Sequence, residues 1–257
     1  MLDPAGHTGT PQAPQRGSAG FLRRSFSLLM KHPVRSALIA VGLFLAGEYL
    51  LLPNERLKAL ETQNPRRTAL MDQREREAAE SGKSYRIRQT WVPLSRISPD
   101  LVHAVIVSED GTFYEHGGVD WYEVQESIEK NIEEGRTVRG GSTISQQLAK
   151  NLYLSTSRDP LRKLKELIIT LRMERMLSKR RILELYLNVI EWGNGVFGAE
   201  AAARKYFGVS ADAITREQAA ELAAVIPSPL RHQPDGSSSY VGRRTATILE
   251  RMNARGY

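Results

Sequence analysis

The longest apolar run in the chain is Ser36–Leu52, SALIAVGLFLAGEYLLL. As a helix rising ~1.5 Å per residue it reaches roughly 26 Å, the length of a tilted bilayer span. Its one charge, Glu48, lies near an end, where a carboxylate reaches the headgroups rather than the costly midplane. Leu45-Ala46-Gly47 makes a weak cleavage site, so the pattern predicts a retained anchor rather than a removed signal. Four bases precede the span (Arg23, Arg24, Lys31, Arg35) and four follow it (Arg56, Lys58, Arg66, Arg67), so charge does not orient it.

Around this run the pattern divides the chain. Residues 1–20, rich in Gly, Pro, Gln, Ser and Thr, cannot bury enough surface to offset ordering entropy and predict a disordered tail. Residues 21–53 form the basic flank and anchor. Residues 54–88, charged and interrupted by Pro65 and Gly82, predict a stalk with one exposed helix around Arg66–Glu80. Arg86–Pro93 alternates mildly, as a short strand would. From 89 to 257 helical periodicity dominates. Ser98-Pro99 opens a helix whose apolar face is Leu101, Val102, Val105 and Ile106. Asp159-Pro160 opens another running to about Leu177, and Ser178 opens KRRILELYLN. Thr215 and Gln218 make a capping box ahead of Ala219–Ile226. No repeat of 20–50 residues is present, and the fold class predicted is mainly α.

Composition narrows the chemistry. The 257 residues hold no cysteine, which excludes a disulfide framework and a thiol nucleophile. The net charge of +7 suggests an anionic partner. Along the chain that charge is polarised. Glu109–Glu134 carries nine acids against Lys130, a net of −8, whereas Arg136–Arg181 carries twelve bases against three acids, a net of +9. Such runs are often solvated helix faces. They also suit a carboxylate for acid–base work beside a cradle for a phosphorylated group.

Three motifs stand out. In EDGTFYEHGGVD, Glu109 and Asp110 follow an apolar helix, where the negative dipole end and partial burial raise a carboxyl's pKa toward that of a general base. His116 is a candidate orienter; Phe113 lies between. No metal-ligand spacing accompanies this histidine. GGSTISQQLAKN is a Gly-rich turn opening a helix, a start that favours anions, without the order of a P-loop. Ser142, Thr143, Gln146, Gln147 and Asn151 supply hydroxyl and amide partners for sugars, and Lys150 an ammonium for phosphate. In RKLKE, Arg162 and Lys163 lie one turn before Glu166 and share its face.

These blocks, with KRRILELYLN and EWGNGVFGAEAAARKYFG (Glu191–Gly208), occur in the order of glycosyltransferase family 51, the peptidoglycan glycosyltransferases. Their span, about Thr90–Pro229, resembles that family throughout, and no room remains for a transpeptidase domain, so the chain resembles its monofunctional branch. One departure is Thr170, where the family's third block usually has Ala; the expected consequence is confined to packing. The resemblance implies a lysozyme-like helical domain with a large and a small lobe, preceded by a single transmembrane helix. It implies polymerisation of lipid II, with the growing glycan-undecaprenyl pyrophosphate as donor and β-1,4 linkage by inversion.

By that resemblance Glu109 is the catalytic base, and Glu166 orients the cations or binds a divalent ion. Asp110, Phe113, His116, Ser142, Thr143, Gln146, Gln147, Lys150, Asn151, Arg162 and Lys163 bind substrate. Glu184, Tyr186 and Asn188 are expected to brace the helices behind the site, with Glu184 within reach of the cleft. No cofactor is required beyond a divalent cation (Mg or Mn) at the pyrophosphate. Expected partners are the lipid-linked substrates, the membrane and cell-wall synthesis or division proteins, with no nucleic acid. The expected place is the cytoplasmic (inner) membrane, with the catalytic domain on its periplasmic or outer side. The rival readings are a membrane-anchored glycan hydrolase or lytic transglycosylase on the same fold, and a non-enzymatic scaffold that binds the lipid precursor.

Overall fold

The structure is a computed structural model. It describes residues 33–51, 54–135, 141–154, 160–235 and 238–257. The predicted tail, most of the basic flank, Arg136, Arg139, Gly140, Arg158 and the Asp159 cap lie outside the described residues.

The chain divides into two compact units near Leu50–Leu51. In the first, helix α1 (Pro33–Leu51) covers the predicted anchor except Leu52, which lies outside the described residues. The side chains of Val34, Leu38, Ile39, Val41 and Leu43 are exposed. Among the described residues no helix is long and apolar enough to cross a membrane.

The second unit is mostly helical. Its elements in order are α2 (Asn54–Ala59), α3 (Ala69–Glu80), β1 (Arg88–Gln89), α4 (Pro99–Glu109), α5 (Trp121–Glu133), α6 (Ile144–Tyr153), α7 (Pro160–Met176) and α8 (Lys179–Val189). There follow β2 (Glu191–Gly193), β3 (Val196–Phe197), α9 (Ala199–Phe207), α10 (Arg216–Val225) and α11 (Ser239–Ala254). Local chemistry sets the helix starts. Ser178 Oγ accepts from the Arg181 N–H (3.2 Å), and Thr215 and Gln218 form the predicted capping box. Ser98 precedes α4 without a side-chain cap bond, so Pro99 at the first helical position carries that start.

Helices α4, α10 and α11 pack together, and α6 packs on α7 and α8. The core between them is built from the wholly buried Leu101, Val105, Ile144, Leu148, Leu183 and Trp192. Removing this apolar surface from water, at roughly 25 cal/mol per Å², is what offsets the entropy of ordering the helices.

The predicted stalk is corrected by its packing. Leu57 and Leu60 belong to the main core, and Leu70 and Met71 form a second cluster with Phe197. Arg74 holds the buried Glu191 through Nε (3.0 Å) and a second nitrogen (2.9 Å). The charged surface of α3 therefore hides one apolar edge and one ion pair that tie it to the sheet. That sheet has strand order β1-β3-β2, with β1 parallel and β2 antiparallel to β3. Asn194-Gly195 turns the β2–β3 hairpin. Gly195 adopts φ +71°, and a Cβ there would stand 2.4 Å from the Arg86 carbonyl oxygen. Only glycine lets the segment leading into β1 approach so closely.

Candidate active site

Glu109 is the last residue of α4, where the helix's unpaired carbonyls disfavour negative charge. Its side chain is 9% exposed and faces three groups from three elements. Gln147 Nε2 on α6 donates to Oε2 (2.9 Å), Ser108 Oγ donates to Oε1 (3.2 Å), and an Arg244 guanidinium nitrogen on α11 lies 3.8 Å from Oε1. Burial raises the Glu109 pKa; the Gln147 bond, the Arg244 charge, the Ser108 bond and Lys150 pull against it, and burial wins. The result is a carboxyl more basic than a free one, held in one orientation.

A relay stands behind it. The Tyr186 hydroxyl on α8 donates to Gln147 Oε1 (2.9 Å), which commits the Gln147 amide to present its NH2 to Glu109. Tyr186 is fully buried, and burial pushes its hydroxyl well above the usual range. It remains a proton-bearing donor at any working pH.

Asp110 and His116 form a clamp. Gly118 N–H donates to His116 Nδ1 (3.1 Å), so the proton of the neutral ring sits on Nε2, which bonds Asp110 Oδ1 (2.9 Å). The other Asp110 oxygen accepts from the Ile144 N–H at the start of α6 (2.9 Å). One buried carboxylate thus joins the loop after Glu109 to the helix that carries Gln147. Thr143 Oγ1 fastens the same junction by donating to the Gly118 carbonyl (2.7 Å).

The cationic side is built on α6 and α7. Arg162 donates to Glu166 Oε2 (2.8 Å), and Lys163 bonds both Glu166 Oε1 and Ser142 Oγ (3.2 Å). Glu166 is buried, while Lys163 is half exposed. Burial, together with Arg162 and Lys163, lowers the pKa of Lys150, although Glu166 and Glu109 act to raise it. An ammonium in that position gains from any anion brought beside it.

The structure gathers Glu109, Asp110, His116, Gln147, Lys150, Ser142, Arg162, Lys163 and Glu166, and it corrects several assignments. Phe113 is wholly buried beneath the Lys179 ammonium, 4.5 Å from its ring centroid, and packs in the core rather than facing a ligand. Thr143 and Gln146 are consumed in the capping box that starts α6, and Asn151 is buried on that helix. Glu184 is turned from the cleft: it accepts from the Leu94 N–H (2.9 Å) and pairs with Arg181. Glu166 does not fit a divalent cation, since both its oxygens are engaged by cations. No group of three acidic or histidine side chains fit for a metal occurs among the described residues. The bracing expected of Asn188 is present, its amide bonding Val92 N–H and C=O (2.9 Å each). Thr170 is buried, its hydroxyl donating to the Glu166 carbonyl (2.7 Å), and its methyl lies where a Cβ at Gly118 would fall. Arg244 was not visible to sequence reasoning, since nothing local marks a helix arginine that meets Ser108 from 136 residues away.

Residues 75–253 match the transglycosylase family. The chain belongs to that family. Among its relatives is a biosynthetic peptidoglycan transglycosylase of Nitrosospira multiformis, 51% identical over 189 residues, covering 74% of this chain and 82% of the relative. One of Laribacter hongkongensis is 45% identical over 225 residues, covering 88% and 98%. One of Dechloromonas aromatica is 49% identical over 214 residues, covering 83% and 92%. The transglycosylase match takes in every residue of the cluster around Glu109 and Glu166, Arg244 included.

Proposed function

We propose that this transglycosylase polymerises lipid II into linear glycan strands, with Glu109 as the base. The observation that carries the reading is a buried, basicity-raised carboxyl held by Gln147 at one side of a site whose other side is Lys150, Arg162 and Lys163. A glycosyl transfer from a lipid pyrophosphate needs that pairing. The acceptor's 4-hydroxyl gives its proton to Glu109 as its oxygen bonds the donor's anomeric carbon. The bond from that carbon to the pyrophosphate oxygen breaks, and the leaving group departs with the electron pair. No strong acid is required, because cations stabilise the charge where it develops. Attack opposite the leaving group inverts the anomeric carbon and makes the β-1,4 link. Glu166 holds Arg162 and Lys163 in position rather than reacting.

The reading includes a tether. Both substrates carry long lipids, and an enzyme confined to the bilayer surface meets them at a raised effective concentration. The exposed apolar side chains of α1 support this, as do the exposed Trp121 and Tyr122 of α5, residue types favoured at membrane interfaces. On this reading α1 and its flanks make a single-pass anchor in the cytoplasmic (inner) membrane, and the catalytic unit works on the periplasmic or outer side.

The test is to supply lipid II to the purified full chain, with and without chelator, and to separate the products. Polymer with β-1,4 linkages and stoichiometric undecaprenyl pyrophosphate is expected in both arms. Bound precursor without turnover would leave a scaffold, and cleavage of preformed glycan would leave a hydrolase.

A further inference from the structure

A second cationic feature lies apart from the active site and shares none of its residues. An open groove of about 510 Å³ runs between β1 with its flanks and helix α9, lined by Arg86, Ile87, Arg88, Gln89, Thr90, Ala201, Arg204 and Lys205. Two periodicities build it. In extended backbone alternate residues share a face, and Arg86, Arg88 and Thr90 are exposed while Ile87 and Gln89 are partly buried. On α9, Ala201, Arg204 and Lys205 fall at i, i+3 and i+4, one stripe of the helix. The parallel register of Arg88 with Val196, and the bare Gly195 beneath Arg86, bring the strand against the helix. Gln89 locks the strand from behind by donating to the Asn188 carbonyl (2.7 Å).

Four bases line this groove and no acid does. Arg204 is paired with Glu200 (2.9 Å). Among the described residues, Arg86, Arg88 and Lys205 have no carboxylate partner. The helix dipole accounts for Arg204 and Lys205 in the last turn of α9, but not for two arginines on a strand. Partial burial and then the nearby Arg88 hold the Lys205 ammonium below its ordinary value, which marks the two cations as neighbours under mutual repulsion. Like charges gathered without counter-charges relax when an anion enters. The volume suits a diphosphate or a phosphodiester with its substituent, the partly buried Ala201 giving the substituent an apolar contact, while Ile87 packs behind the strand against the Leu70, Met71 and Phe197 cluster. Two arginines add the forked donor geometry that phosphate oxygens match.

We propose that the groove between β1 and α9 binds a phosphate-bearing anion, with Arg86, Arg88 and Lys205 as its ligands. The same chemistry is offered by a free diphosphate and by an anionic lipid headgroup, and a footprint of Lys205 separates them. The full chain in detergent is labelled with an amine-reactive acetylating reagent, and modification of Lys205 and of the exposed Lys83 is read by peptide mass spectrometry. Inorganic pyrophosphate is one arm. The chain reconstituted in phosphatidylcholine vesicles, with or without phosphatidylglycerol, is the other.

Protection of Lys205 but not Lys83 is expected in at least one arm. In Arg88→Gln the protecting concentration should rise at least tenfold, and an Arg76→Gln control should stay within twofold. Protection by pyrophosphate assigns a soluble ligand, and protection only with phosphatidylglycerol assigns a headgroup. The proposal is overturned if neither arm protects Lys205, if Lys83 is protected equally, or if Arg88→Gln leaves the midpoint unchanged. Because the readout is a footprint, it stands or fails independently of polymerisation.

Discussion

Replacing Gln147 with Met removes one amide and nothing from the first layer of cations. Its NH2 is the closest donor to Glu109 (2.9 Å), and its carbonyl accepts the hydrogen bond from the Tyr186 hydroxyl (2.9 Å). A hydrogen bond to a charged group contributes about 1.5–3 kcal/mol. It favours the ionised carboxyl, the form that the proposed reaction uses as base. Its loss makes Glu109 harder to ionise, and at ~1.4 kcal/mol per tenfold the population of active base falls roughly 10–100-fold at a pH below its midpoint. The rate of lipid II polymerisation by Gln147→Met, followed against pH, should therefore have its acidic limb moved to higher pH, with much of the loss recovered on the alkaline side. Stability should also fall by about 1–3 kcal/mol, because the buried Tyr186 hydroxyl is left unpaired. A folded Gln147→Met protein whose limb and rate match the wild type would refute the relay.

Other outcomes follow from the same geometry. Tyr186→Phe keeps the ring and frees only the Gln147 carbonyl, so the limb should move in the same direction by less than in Gln147→Met, as parallel pH–rate profiles would show. Burial raises the Glu109 pKa above its unfolded value, so the folded protein holds that proton more tightly and loses stability as pH rises through the interval. Glu109→Gln has no proton to lose, and thermal melts should show it at least as stable as wild type near pH 7, with the gap closing toward acid. Asn188→Ala strands the Val92 N–H and C=O, and urea melts should show about 2–4 kcal/mol of destabilisation. Removing residues 1–52 should leave a folded domain that is slower on bilayer-embedded lipid II; equal rates there would remove the tether from the account.

What the sequence reveals depends on how local the physics is. Helix starts at Pro99, Ser178 and Thr215 were legible because capping is settled within four residues. Thr143 and Gln146 have the same spacing as Thr215 and Gln218, yet in a Gly-rich turn they resemble sugar ligands. A polar side chain that binds backbone and one that binds substrate look alike until the fold is known. Phe113 sat among functional residues and proved to be core, since burial is a tertiary property. The charged segment 54–88 concealed Leu57, Leu60, Leu70 and Met71, whose few positions are outvoted in any average of polarity. The Asn194-Gly195 hairpin carried a strong turn signal, but strands of two and three residues are too short for periodicity to declare. Glu109, Glu166, Arg162 and Lys163 were legible from motif order. The relay through Gln147 to Tyr186 and the approach of Arg244 belong to packing between distant elements.

The central claim is that Glu109 is the base for glycan polymerisation, and the most direct measurement is the turnover of lipid II by Glu109→Gln. The variant should fold, melt as a single transition and still bind the lipid substrate through Lys150, Arg162 and Lys163, while its rate falls at least ~100-fold, as loss of a general base requires. Near-normal polymerisation by the folded variant would contradict the account.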